Sequence, residues 1–460
     1  MLTIEEILKA TKGELIKGSL TPEISGVSID SRSIKPKELF VAIKGKRFDG
    51  HDFINQAIRR GAGAIVFSNP SYAKPAFGVL RSVAMIEVSK TVEALGALAH
   101  YYRLRFKISV IAITGSNGKT TTKEMLGAIL ASKFKVLRNP GTENTLIGAS
   151  LTILRLRKRH DLALIEIGAN HAGEIDRLAR ILEPTVGIIT NIGPSHLKFF
   201  KTLKGVFKAK FELINNLPKG AKLIINNDDR FLSQLNGLKL QRITFGLNHH
   251  ADFFGEIIQQ GNKEVVFLLN KRQRITLKAL GRHNVYNALA ACACARAFGV
   301  SYQQIKQALA SFNPIPMRMQ ICRFKSVKIV VDCYNSNPES FAYALEFLRS
   351  YPSRGKKIAV CGDMLELGQK AESYHTSLGK RIAKHKINFL ITVGKLGRKI
   401  ASGAKGAGMA KETIRTCGNA FEAGRLLRKV ASSGDIILVK ASRGMNLEKA
   451  VKCFMSSSIR

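Results

Sequence analysis

"ITGSNGKTTTKEM", residues 113–125, joins an apolar, β-branched run to a segment with helical spacing. A strand, a glycine turn and a helix opening on Gly-Lys-Thr make an anion cradle, because the first amides of a helix lack intrahelical partners and point along its axis. Gly115 and Gly118 stand two residues apart, where the usual phosphate loop has four. The stretch is therefore a variant phosphate loop. Backbone amides of Gly115, Ser116, Asn117, Gly118 and Lys119 would hold phosphate oxygens, the Lys119 ammonium would meet the terminal phosphates, and the Thr120 hydroxyl would bind Mg²⁺.

Working outward, "KTVEALGALAHYYRLRF" (90–106) has helical spacing and feeds the buried strand "ISVIAITG" (108–115). Downstream, "LALIEIGA" (162–169), "VGIITNIG" (186–193) and "AKLIINNDD" (221–229) are short apolar runs separated by helical stretches, which predicts a mainly parallel sheet covered on both faces. Before this unit, residues 1–88 mix short strands and helices, with "LFVAIKG" (39–45) a strand and "HDFINQAIRRGA" (51–62) a helix ending at Gly61. After it, two prolines in "SFNPIPMRMQ" (311–320) break the pattern and suggest a hinge between Asn313 and Gln320. The strands "KIVVDCYN", "KKIAVCGDM", "INFLITVG" and "DIILVKAS" then alternate with helices such as "PESFAYALEFLRS", as in a doubly wound sheet. The expected fold is α/β in three domains: a small α/β unit over 1–88, a central parallel-sheet ATPase unit of phosphate-loop type over 89–314, and a Rossmann-like unit over 315–460.

A chain of 460 residues exceeds what one core supports, and 45% hydrophobic content with mean hydropathy of zero describes a globular protein. No apolar run reaches the length of about 20 residues that spans a bilayer, and "MLTIEEILKATKG" lacks the pattern of a secretion signal. A cytoplasmic protein is expected. The seven cysteines form no C-x-x-C pair and are expected to be reduced, each as a small buried hydrophobe. The formal charge of +40, from 73 Lys plus Arg against 33 Asp plus Glu, raises nucleic-acid binding. Yet the basic residues are spread along the chain, and no zinc-finger, helix-turn-helix or RNP pattern accompanies them, so no specific nucleic-acid partner is expected. Steering of a polyanionic substrate and compositional bias are the plainer accounts.

Four further residues are expected on strand ends of the central unit: Glu166 and Asn170 in "IEIGAN", His196 in "NIGPSHL" and Lys210 in "FKAKFEL". Singly, a His of this kind is usually internally satisfied or solvent-facing, and a Lys in so basic a chain is usually surface. Behind a phosphate loop, together, they point to nucleotide chemistry.

The motifs "DSRSIKPKELFVAIKGKRFDGHDF", "TGSNGKTTTKEM", "EIGANHAGEI", "NIGPSHL", "KAKFEL", "GRHNVYNAL", "PMRMQ", "DCYNSNP", "GDMLELG" and "VKASRGM", in this order over essentially the whole chain, resemble the Mur ligase family. The resemblance implies an ATP-dependent amide ligase acting through an acyl phosphate, in its dipeptide-adding branch. Its substrates would be UDP-N-acetylmuramoyl-tripeptide and D-alanyl-D-alanine, and its cofactors ATP and Mg²⁺. It implies ATP phosphates on Thr114 to Thr120 and adenine near Asn284 with Asn287 behind it. Two Mg²⁺ ions would be bound through Thr120, Glu166 and His196, with Lys210 carbamylated so that an ammonium becomes an anionic oxygen ligand. Arg318, Asp332, Tyr334 and Asn335 would reach ATP when the domains close. Ser31, Arg32, Arg47 and His51 would take the uridine diphosphate, and Asn144 and Asn170 would lie by the peptide substrate. A monomer without integral membrane association is implied as well. Lys37 stands where the family usually has glycine, and "PGTENTLIG" lacks the second asparagine and acid common in relatives.

Three other readings compete. A sister ligase adding the third amino acid would carry a D-N-P-R acceptor motif, which is absent. Folate polyglutamylation leaves the "DSR…GHDF" region without a role. A nucleic-acid-dependent ATPase would explain the charge and leave Lys210, His196 and the first domain unexplained.

Overall fold

A computed structural model describes residues 2–69, 71 and 83–456. The phosphate-loop strand Ser109–Thr114 lies inside a nine-stranded sheet, between Val186–Ile189 and Leu162–Glu166 and parallel to both. Every residue from Val110 to Thr114 is buried, as expected of a strand covered on both faces. Because Glu166 pairs in register with Ile113, and Ile189 with Thr114, the carboxyl ends of three strands deliver Thr114, Glu166 and the Thr190–Asn191 turn to one place. The parallel part continues outward through Lys222–Asn226, Gln241–Gly246 and Phe253–Gln260, with Val136–Arg138 at the opposite edge.

One part of this sheet departs from the expected layout. Phe253–Gln260, Val265–Leu269 and Gln273–Leu277 form an antiparallel meander at the far edge. Its second turn uses Asn270 and Lys271, both at positive φ (52° and 57°), a conformation that a tight hairpin needs and that lysine rarely signals.

The N-terminal unit is a five-stranded sheet in the order Glu14–Lys17, Ala84–Glu87, Ala64–Phe67, Glu38–Val41, Gly26–Ser28, parallel except for the first pair. The expected helix of 51–62 starts as a 3₁₀ turn at Gly50–Phe53 and becomes α-helical only over Ile54–Arg59, because the Asp49 carboxylate caps the His51 amide and tightens the entry. Lys37 has φ 64°, which explains why glycine suits this position: a side chain there costs about 1–2 kcal/mol.

The C-terminal unit is a six-stranded sheet in the order Gln320–Phe324, Val327–Asp332, Ile436–Lys440, Lys357–Gly362, Phe389–Val393, Ile414–Cys417, parallel except for the first strand. The helix Pro338–Ser350 is capped by Asn337, whose side chain accepts from the Ser340 amide. All seven cysteines are unbridged. Cys322 and Cys453 are only half-buried, contrary to expectation, because they lie on an edge strand and a terminal helix.

The proline-bounded segment carries backbone strain on both sides of Arg318: Met317 and Met319 have φ 58° and 53°. Such strain persists where surrounding contacts fix it. Here the Tyr334 amide donates to the Met317 carbonyl (3.2 Å) and the Met319 amide to Asp332 Oδ1 (3.3 Å).

Candidate active site

A cleft of about 840 Å³ opens between the central and C-terminal sheets, with the phosphate loop on its floor. Two glycines shape that loop. A Cβ at Gly115 (φ 139°) would collide with the Thr190 hydroxyl, and one at Gly118 (φ 82°) with the Asn287 carboxamide. The Asn117 amide donates to Asn191 Oδ1 (2.9 Å) and the Ser116 hydroxyl to the Gly193 carbonyl (2.9 Å), so the loop is held from the neighbouring strand end. Lys119 donates to the Gly115 carbonyl at 2.8 Å, and burial and the nearby Arg318 charge lower its pKa. An incoming polyanion offers that ammonium stronger acceptors than the carbonyl it now holds.

The C-terminal unit reaches into the same cleft. Arg318 donates to the Thr120 hydroxyl (3.0 Å) and lies over the Tyr334 ring, 4.4 Å from its centre. Its Nε is buried with no hydrogen-bond partner among the described residues, a donor left for an anion. The Tyr334 hydroxyl bonds Thr142. Asp332 accepts from the buried Lys440 ammonium (2.6 Å), its register partner on the adjacent strand, and Lys440 also donates to the Asn335 carbonyl (3.2 Å). Across the same seam, Asn117 is read on both sides of its carboxamide: Nδ2 donates to Glu339 Oε2 (2.8 Å), and Oδ1 accepts from Asn337 (2.7 Å). Burial pushes the Glu339 carboxyl up to about 7.

Glu166 is buried, with Oε1 accepting from Asn144 Nδ2 (2.8 Å) and Oε2 without a partner among the described residues. An orphaned carboxylate oxygen in a cleft that Thr120 and His196 also line fits a hard divalent cation. Among the described residues no group of three or more His, Cys, Asp or Glu side chains could hold a metal alone. Further oxygens would have to come from phosphate or from Lys210. Lys210, expected on a strand end, lies instead in the helix Leu203–Asn215, behind the residues that line the cleft. It is almost fully buried, 5.7 Å from the centre of the Phe200 ring, and burial with the nearby Lys119 charge drops its pKa from 10.5 to about 7.

The remaining expected residues divide. Asn284 and Asn287 are buried on the helix Arg282–Ala297. Asn287 accepts from the Thr122 hydroxyl (3.3 Å) and donates to Asn284 (3.1 Å), so it buttresses the phosphate loop directly. Asn170 lines the cleft, its amide held by Glu174 Oε2 at 2.7 Å. Ser31, Arg32, Arg47 and His51 lie on the N-terminal unit and are not brought into the cleft lining. Ser31 bonds Gln56 (2.7 Å), Arg32 pairs with Asp30 on the surface (2.8 Å), and Arg47 is exposed. His51 is buried, with Nδ1 2.6 Å from Asp49 and Nε2 accepting from the Ser68 amide at 3.0 Å, an internal pin of its domain.

The comparisons with known proteins follow this layout. The Mur ligase middle domain pattern matches residues 113–295, the Mur ligase glutamate ligase domain pattern residues 317–443, and the Mur ligase family catalytic domain pattern residues 23–103. The UDP-N-acetylmuramoyl-tripeptide–D-alanyl-D-alanine ligase of Bacillus subtilis is 35% identical over 460 residues, 99% of either chain. The chain belongs to the Mur ligase family. Among solved structures, a MurF from Acinetobacter baumannii superposes with a TM-score of 0.88 at 31% identity, covering 99% of both chains. A MurF from Thermotoga maritima in complex with ADP does so with a TM-score of 0.82 at 29% identity, covering 94% of this chain and 97% of its own.

Within this Mur ligase cleft, sequence reasoning passed over several side chains. Lys123 is fully buried and donates to the carbonyls of Asn139 (2.7 Å) and Gly141 (2.6 Å), fixing the loop that carries Thr142 and Asn144. It stands in the quoted "TTTKEM", yet nothing local separates it from a surface lysine. Lys440, Glu339 and His283 line the cleft itself. His283 Nδ1 is buried without a hydrogen-bond partner among the described residues, and burial lowers its pKa to about 4.

Proposed function

We propose that this chain joins the terminal carboxylate of UDP-N-acetylmuramoyl-tripeptide to the free amine of D-alanyl-D-alanine, with ATP converted to ADP and phosphate. One observation carries the reading most strongly: a phosphate loop whose Thr120 hydroxyl is met by Arg318 from across a domain seam, in a cleft also lined by Glu166, one of whose oxygens has no partner among the described residues.

An ionised carboxylate resists attack by an amine until one of its oxygens becomes a leaving group. Transfer of the γ-phosphoryl group to that oxygen provides one. Lys119 and Arg318 would bring two cations to the charge that spreads over the transferring group. A divalent cation on Thr120, Glu166 and His196 would add Lewis-acid charge to the same oxygens. The amine then attacks the acyl carbon, and phosphate leaves as the tetrahedral oxyanion collapses. An α-amino group with a pKa of about 8 is partly neutral near pH 7, so no strong base is required. Lys210, as a carbamate, would present oxygen rather than an ammonium to the cation. The N-terminal unit would hold the uridine nucleotide, with Ser31, Arg32, Arg47 and His51 in the motifs concerned, and the units would divide near 88 and 314.

The reading predicts phosphate release only when UDP-N-acetylmuramoyl-tripeptide and D-alanyl-D-alanine are both present. Equal release with the dipeptide precursor and a free amino acid would replace it with the sister reaction. Release stimulated by DNA or RNA would overturn it.

A further inference from the structure

The motif "GDMLELG" has no part in the chemistry above, yet its Glu366 reaches His196, which lines the cleft. Glu366 Oε2 lies 2.5 Å from Nδ1 of His196, across the seam between the C-terminal and central units. The backbone docks as well: the Lys198 amide donates to the Glu366 carbonyl at 2.9 Å. Gly368, at φ 62°, comes so close that a Cβ there would stand 3.2 Å from Lys198 Cα. Both partners sit in the left-handed region, His196 at φ 51° and Glu366 at φ 63°. Two non-glycine residues held in that region and facing each other mark a contact the surrounding structure over-determines.

An imidazole has two nitrogens, and the one that donates fixes the other as an acceptor. We propose that Glu366 is a positioning residue: it takes the Nδ1–H of His196 and leaves Nε2 free for the divalent cation, so that docking of the C-terminal unit completes the metal site. The proposal rests on the metal reading given above. In that arrangement a carboxylate beyond the ligand fixes its tautomer and ring orientation, and losing such a partner typically weakens metal affinity about ten- to a hundredfold. It also ties cation binding to closure, since His196 belongs to one unit and Glu366 to the other.

The test combines a tautomer measurement with a binding measurement. Metal-free protein labelled with ¹⁵N-histidine and saturated with a non-hydrolysable ATP analogue should show His196 with the proton on Nδ1. Glu366→Ala should lose that preference, and Glu366→Gln should keep the fold while exchanging the partner. Mn²⁺ titration followed by electron paramagnetic resonance should show affinity about ten- to a hundredfold weaker in Glu366→Ala, with far-UV circular dichroism unchanged. A His196 tautomer identical in wild type and both variants would overturn the proposal. Failure of wild-type protein to bind Mn²⁺ would overturn the metal reading instead, and the tautomer comparison would still decide whether Glu366 fixes the ring.

Discussion

Lys210 invites the sharpest perturbation, because the account asks a lysine to act as an anion. Burial and the Lys119 charge bring its pKa from 10.5 to about 7. At pH 7.5 roughly three-quarters of such an amine is neutral, against about one part in a thousand for an ordinary lysine. Only the neutral amine adds to CO₂, giving a carbamate and releasing one proton, so the site is primed by a factor on the order of several hundred. Protein equilibrated with ¹³C-bicarbonate should show a carbamate carbon by NMR that is absent from Lys210→Ala. That variant should lose most turnover and regain part of it with acetate, which fits the vacated space. Lys210→Arg, permanently charged and unable to form the adduct, should stay inactive. Without CO₂ the sign of the pH effect is fixed. The folded chain binds fewer protons than the unfolded one between about pH 7 and 10.5, so stability rises with pH across that window. The cost of the buried charge below it is on the order of 5 kcal/mol, and Lys210→Met should flatten the rise. Full activity in Lys210→Arg, or no carbamate signal in wild type, would refute the reasoning.

Three other outcomes follow from named contacts. Lys119→Ala should bring turnover down by several orders of magnitude, a loss on the order of 4 kcal/mol or more in transition-state stabilisation, while circular dichroism stays native; near-normal phosphate release would contradict it. Lys37→Gly should raise unfolding free energy in urea by roughly 0.5–1 kcal/mol, the relief of a left-handed side chain less the added chain entropy of glycine, and a lower midpoint would count against the strain. If the net charge of +40 steers a polyanionic nucleotide, raising salt should increase KM for the nucleotide peptide far more than KM for the dipeptide; equal effects would leave the charge without that role.

Legibility from sequence tracked how local each signal was. The strand-loop-helix at 109–130 could be read because glycine spacing and β-branched residues act within one turn of chain. The helix Pro338–Ser350 was clear for the same reason, with Asn337 and Pro338 at its start. The edge meander of 253–277 was missed because its tight turn is carried by Asn-Lys rather than by Asn-Gly. Residues whose work depends on distant chain were the hardest. Lys123 and Lys440 look like any of the many lysines until burial places one against loop carbonyls and the other against Asp332. Glu366 sits 170 positions from His196, and only the docked units reveal the pair. His51 shows a different limit: its motif places it at the substrate, and local sequence gives no sign that its two nitrogens are engaged with Asp49 and Ser68.

In the proposed reaction the substrate carboxylate is phosphorylated before the amine attacks. The most direct measurement uses UDP-N-acetylmuramoyl-tripeptide with both oxygens of its terminal carboxylate labelled with ¹⁸O, turned over with ATP and D-alanyl-D-alanine, and the released phosphate weighed by mass spectrometry. An acyl phosphate requires one labelled oxygen to leave with each phosphate, with the other retained in the new amide. Unlabelled phosphate from a reaction that still forms the amide would contradict the account.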